Sequence, residues 1–189
     1  MFFLITVLLL FAPFPNTVVL GDDTGGLLNL RMKAEAGDAE SQAAIAFMYG
    51  NGVNVERDHG QALYWYKKAA EQGLVEAQYN LGLMYRYGHG LPSNFEQAVY
   101  WYRKAANQGF AEAYNNLGYM YQHGNGVPKD LIEAHKWYNL AAANSGGDQR
   151  LKAVKNRDLM ATKLTTEELK EAQRLAAEWS PEREDAVHE

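Results

Sequence analysis

The chain has 189 residues, 47% hydrophobic and 22% charged, the balance of a folded chain and not of a disordered one. Its net charge of -5, about -2 once the acidic run over residues 180–189 is set aside, gives no basic footprint for nucleic acid. Cysteine is absent, which removes disulfides, thiolate metal sites and cysteine nucleophiles, although an exported protein can do without disulfides where stacked repeats supply the core.

Residues 1–21 read as a signal peptide. Met1 to Phe14 is almost wholly apolar, Pro13 and Pro15 break the run, Val19-Leu20-Gly21 offers small or medium residues to a peptidase, and Asp22-Asp23 opens a polar chain. The apolar run of about 12 residues is shorter than the roughly 20 a spanning helix needs. The expected location is therefore periplasmic or secreted. No Lys or Arg precedes the run and no Ala-x-Ala site follows it, so the alternative is an uncleaved leader that anchors the protein in a membrane.

Beyond the leader the sequence repeats every 36 residues without insertion, over residues 37–72, 73–108 and 109–144. Trp65, Trp101 and Trp137 share one position and Tyr66, Tyr102 and Tyr138 the next; Met48, Met84 and Met120, then Tyr49, Tyr85 and Tyr121, are also in register. Each unit reads as two helices. In the first, Ala77, Leu81, Met84 and Tyr85 fall at i, i+4, i+7 and i+8; in the second, Ala98, Trp101, Tyr102 and Ala105 fall at i, i+3, i+4 and i+7. These aromatic pairs, with Tyr49, Tyr85 and Tyr121, are expected to form the core that joins the units.

The stop between the helices is Gly88-His89-Gly90 in the second unit, Gly124-Asn125-Gly126 in the third and Gly52-Val53-Asn54 in the first. Asn is the ordinary residue that best tolerates positive φ, so Asn54 predicts left-handed backbone at this position in every unit. Asp58-x-x-Gln61, Asn94-x-x-Gln97 and Asp130-x-x-Glu133 each predict a capping box at the next helix start, and Thr165-x-x-Glu168 predicts another. Ala46, Gly82 and Gly118 share a position where two helix backbones are expected to approach closely.

The run Ala77-Gln78-Tyr79-Asn80-Leu81-Gly82-Leu83-Met84-Tyr85, with Gly88-x-Gly90, Ala98, Trp101-Tyr102 and Lys104-Ala105-Ala106, resembles the Sel-1-like repeat family, a branch of the tetratricopeptide-type helical repeats. The resemblance implies an all-α, right-handed α-solenoid of tandem helix-turn-helix repeats, its concave face lined by the first helices, and a role in binding other proteins. It further implies an N-terminal half-repeat cap over residues 22–36 and C-terminal capping helices over 145–179, and the charge pattern leaves a polar acidic tail over 180–189. Some exported members carry a disulfide in each unit; this chain has none.

Catalytic chemistry needs unlike groups converging on one point, whereas repetition sets like groups along a line. None of Ser41, Ser93, Ser145 and Ser180 is followed three residues on by Lys, and no Lys-Thr-Gly occurs, so the nucleophile pattern of penicillin-recognising enzymes is missing. His59, His89, His123, His135 and His188 show no metal-ligand spacing. No catalytic residue, metal or cofactor is assigned. At positions that face the groove in related helical repeats, the second and third units differ: Tyr79 against Asn115, Leu83 against Tyr119, Arg86 against Gln122 and Tyr87 against His123. These eight residues are the candidate surface for a protein or peptide partner. The expectation is a monomeric, non-enzymatic scaffold that touches a membrane only through its leader. The alternatives are a cell-wall-associated or weakly β-lactam-recognising protein and a structural subunit of an envelope machine.

Overall fold

The computed structural model describes residues 24–181; the leader, residues 1–21, and all but the first two residues of the acidic tail lie outside them. The described residues form nine helices and no strand: α1 (Thr24–Glu35), α2 (Ala39–Asn51), α3 (His59–Glu71), α4 (Val75–Tyr87), α5 (Phe95–Asn107), α6 (Ala111–His123), α7 (Leu131–Asn144), α8 (Gly147–Ala161) and α9 (Thr166–Glu178). Helix α2 packs on α3, α4 on α5 and α6 on α7, and each hairpin passes to the next through α3 against α4 and α5 against α6. This is an all-α repeat solenoid. None of these helices is long and apolar enough to cross a membrane.

The core follows the repeat. Trp65, Trp101 and Trp137 are buried, and Tyr66, Tyr102 and Tyr138 are sealed almost completely. Tyr49, Tyr85 and Tyr121 depart from expectation: they are half-buried and pack at the edge of the core. They sit two residues from the helix end, where one side of the helix already faces the connecting loop. The hydroxyl of Tyr121 accepts a hydrogen bond from Arg103 Nη2 at 2.5 Å.

The connecting turn obeys the left-handed expectation, with φ of 58° at Asn54, 80° at Gly90 and 71° at Gly126. The capping boxes are corrected in part. Asp58 and Asn94 accept the backbone N–H of Gln61 and Gln97, and Asp130 accepts those of Ile132 and Glu133, but only Thr165 with Glu168 closes a reciprocal box. The reason lies in the preceding helix: the backbone N–H groups of Asp58, Asn94 and Asp130 donate to the carbonyls of Tyr49, Tyr85 and Tyr121 at 2.9, 2.8 and 3.0 Å. With that donor already satisfied, the third-residue side chain has nothing to bond.

The small-residue position is corrected too. A Cβ on Gly82 would meet the Tyr102 ring at 2.6 Å, and one on Gly118 the Tyr138 ring at 2.7 Å. The glycines make room for an aromatic face and not for a second backbone.

At the C-terminal end, α8 and α9 both pack on α7. Helix α9 thus folds back over the last hairpin and covers a surface that α7 would otherwise expose. Its terminal Trp179 sits edge-on to Tyr114 and to Trp137, with ring centroids 5.1 and 5.6 Å away.

Candidate partner-binding face

The eight candidate residues lie on α4 and α6, the first helices of adjacent units, and they separate into layers. Tyr79 and Leu83 are buried in the core and form the floor between the hairpins, so they support the face from beneath and present little of themselves to a partner. Tyr87, 56% exposed, and His123 stand out at the C-terminal ends of the two helices. Arg86, Asn115, Tyr119 and Gln122 are half-buried between floor and rim.

Arg86 organises the centre. Its Nη1 donates to Asn116 Oδ1 at 2.6 Å, and Asn116 Nδ2 donates in turn to the Tyr79 hydroxyl at 3.1 Å and to the Glu112 carbonyl at 3.2 Å. The guanidinium lies 4.1 Å from the ring centre of Tyr119 and 5.0 Å from that of Tyr87, within cation–π range of both. Tyr119 continues the aromatic surface to His123, 4.3 Å between centroids. Burial pushes the Tyr79 phenol up to about 12, opposed by the Asn116 hydrogen bond and the Arg86 charge. Burial holds the Tyr102 phenol well above its ordinary value, reinforced by Tyr79 and opposed by the nearby Arg86 guanidinium.

The remaining candidates serve the scaffold. Gln122 Oε1 accepts from the Tyr138 hydroxyl at 2.8 Å, which ties α6 to α7. Asn115 Oδ1 faces Asn156 Nδ2 of α8 at 3.5 Å, the outer limit for a hydrogen bond. The exchange of Arg86 for Gln122 between units therefore replaces a half-buried cation with a neutral side chain tied to α7.

Sequence reasoning missed Asn116, the hinge of this network, which is 8% exposed. A signal was present. Asn80 and Asn116 share a repeat position inside a helix, where Asn is a poor helix former, and burial of both marks a polar role for that position.

The model of the Sel1 repeat matches residues 39–74, 75–110 and 111–145, more than half of the chain. The chain belongs to the Sel1 repeat family. Sel1 repeats mediate interactions between proteins, and the family is typically a non-catalytic scaffold. Among solved structures, the Sel1 repeat protein from Oxalobacter formigenes is 38% identical with a TM-score of 0.62, covering 70% of this chain and 97% of that one. A protective antigen of uropathogenic Escherichia coli with an SLR fold is 30% identical with a TM-score of 0.60, covering 79% of this chain. The chain spans only 39% of that antigen's length. No curated protein sequence matches the chain.

Within the Sel1 frame the candidate face falls where the second and third repeats meet. The matched units begin at 39, 75 and 111, at or next to the starts of α2, α4 and α6. Arg86 of the second repeat is thus joined to Asn116 and Tyr119 of the third, and the face exists only because two repeats stack.

Proposed function

We propose that this Sel1 array is an exported, non-enzymatic adaptor that holds an extended segment of a partner protein against the α4–α6 face. The observation that carries the reading is the contrast between core and face. The aromatic core repeats unit by unit, whereas the C-terminal end of the face changes from Arg86-Tyr87 to Gln122-His123 and sets an aromatic rim around one cation. A position that only maintains stacking has reason to repeat, while a recognition surface has reason to differ. Export rests on the apolar run that begins the sequence, broken by Pro13 and Pro15.

The test is site-specific photocrosslinking in intact cells of the source organism. A crosslinker at position 87 or 123 is expected to yield one discrete adduct, and a crosslinker at Tyr64, exposed on the second-helix side of the first unit, is expected to yield none. Equal adducts from all three positions, or none from 87 and 123, refute the face. Cell fractionation with mass determination of the mature N-terminus tests export, which fails if the full-length chain stays in the cytoplasm.

A further inference from the structure

Arg86 is held differently from the ion-paired cations among the described residues. Arg31, Lys67 and Arg174 reach carboxylates at the exposed surface, the half-buried Arg157 reaches the exposed Asp158, and the more enclosed Lys136 is held 3.2 Å from Glu133. Arg86 is half-buried, and none of the described carboxylates forms an ion pair with it. What surrounds it is neutral: the rings of Tyr87 and Tyr119, the amide of Asn116 and the buried hydroxyl of Tyr102. Partial removal of a guanidinium from water without a counter-charge is unfavourable, and a half-buried guanidinium fixed in place among neutral groups suits a ligand that brings the counter-charge.

The geometry fixes the ligand class. Asn116 takes one of the five N–H donors, and its own bonds to Tyr79 and to the Glu112 carbonyl hold it in place, so the planar fork is oriented before anything binds. The two tyrosine rings restrict its rotation. A planar fork with free donors suits a carboxylate, which accepts two parallel N–H bonds. A phosphate calls for further positive charge, and the neighbouring face positions are Asn115, Tyr119 and Gln122, all neutral. The rim on either side, Tyr87 and His123, offers flat ring faces to the chain that carries the carboxylate.

We infer that Arg86, framed by Tyr87, Tyr119 and Asn116, is the anchor for an Asp or Glu side chain within an extended segment of the partner protein. The inference rests on the adaptor reading above and adds the chemistry of the partner to it. The site lies between two repeats in the middle of the array, so a passing chain, and not a chain end, brings the carboxylate to it.

The test is selection of random dodecapeptides, displayed with capped C-termini, on the purified wild-type protein and on Arg86→Gln, Arg86→Lys and Tyr87→Ser/His123→Ser. The glutamine substitution copies what the third unit carries as Gln122, and circular dichroism melting of each variant confirms the fold. Wild type is expected to enrich peptides with Asp or Glu at one register. Arg86→Gln is expected to lose that preference and to bind the selected peptides about tenfold or more weakly, the scale of one charge-assisted pair. Arg86→Lys, which keeps the charge and loses the fork, is expected to recover little of it. Peptides enriched without an acidic register, or with an acidic register that survives Arg86→Gln, overturn this inference and leave the adaptor reading standing. Enrichment that appears only when a free C-terminal carboxylate is supplied also overturns it. If wild type enriches nothing, or if the selected peptides bind Tyr87→Ser/His123→Ser undiminished, both readings fall.

Discussion

Trp179 meets Tyr114 edge-on, 5.1 Å between ring centroids and 83° between planes, and this contact closes the solenoid. In the earlier units the position of Tyr114 is held by Gln42 and Gln78, whose side chains accept hydrogen bonds from Gln72 and Gln108 at 2.7 and 2.9 Å. The third unit replaces this polar link with an aromatic one, and the partner comes from α9 instead of from the end of the same hairpin. Trp179→Ala is expected to loosen α9 selectively. Trp179 is only partly buried, so the cost is expected to fall below the ~3–5 kcal/mol of a fully buried aromatic, at about 2 kcal/mol. Hydrogen exchange resolves the outcome: amides of α9 should lose protection while those of α4 and α5 keep theirs, and unchanged protection over α9 refutes the closing role.

Asn54 and Gly90 occupy one repeat position with φ of 58° and 80°, yet they are not interchangeable. A Cβ on Gly90 would lie 2.5 Å from the carbonyl oxygen of His59 and 2.7 Å from its carbonyl carbon, so the start of α3 blocks a side chain there. Gly90→Asn copies the first unit and is still expected to cost about 1–3 kcal/mol, the range for forced overpacking. Asn54→Gly is expected to cost no more than about 1 kcal/mol through the added freedom of the unfolded chain. Paired urea titrations measure the difference, and equal midpoints would show that backbone sign alone governs the position.

That contrast shows what the sequence displayed and what it withheld. Left-handed backbone at Asn54 was readable because it depends on one residue's own conformational map. The crowding at Gly90 depends on a residue 31 positions upstream in the chain, which no local pattern displays. The same division runs through the face. That its residues break the repeat was plain from Tyr79, Arg86 and Tyr87 set beside Asn115, Gln122 and His123. Which of them reach the surface was not, because Tyr79 and Leu83 are covered by packing between hairpins and Gln122 turns inward to Tyr138. Asn116 was hidden for a related reason: its partners Arg86 and Tyr79 lie 30 and 37 residues away, brought close only when the repeats stack.

Gly118 tests the revised account of the small-residue position. An exposed glycine within a helix gains up to about 1 kcal/mol on change to alanine. Here the new Cβ would lie 2.7 Å from two ring carbons of the buried Tyr138, whose hydroxyl is further held by Gln122. Gly118→Ala is therefore expected to destabilise by about 1–3 kcal/mol in spite of the better helix propensity. Combining it with Tyr138→Leu, which removes the crowded ring, is expected to give less than the sum of the two single losses. Strict additivity in denaturant titrations would show that the glycine answers to something other than the ring.

His135 on α7 gives the array a pH dependence of definite sign. The residue is 3% exposed, its Nδ1 has no hydrogen-bond partner among the described residues, and it lines a polar cavity with Asn139, Arg157, Asp158 and Gln173 where α7, α8 and α9 meet. Burial lowers its pKa below the ordinary 6.5, the positive charge of Arg157 lowers it further, and Asp158 partly opposes them. Well above pH 6.5 the imidazole is neutral in both folded and unfolded chains and contributes nothing to the pH dependence. As pH falls below 6.5 the unfolded chain takes up a proton that the folded one resists, so stability declines from there down to the folded pKa and levels off beneath it. His89, lowered chiefly by burial and next by His59, adds a slope of the same sign, so the comparison must be between variants and not between pH values alone. His135→Phe is expected to melt with a shallower decline between pH 6.5 and 5 than the wild-type protein, and the difference should be greatest in the protection of α8 and α9 amides. Parallel stability profiles for the two proteins over that interval would show that His135 does not carry the effect.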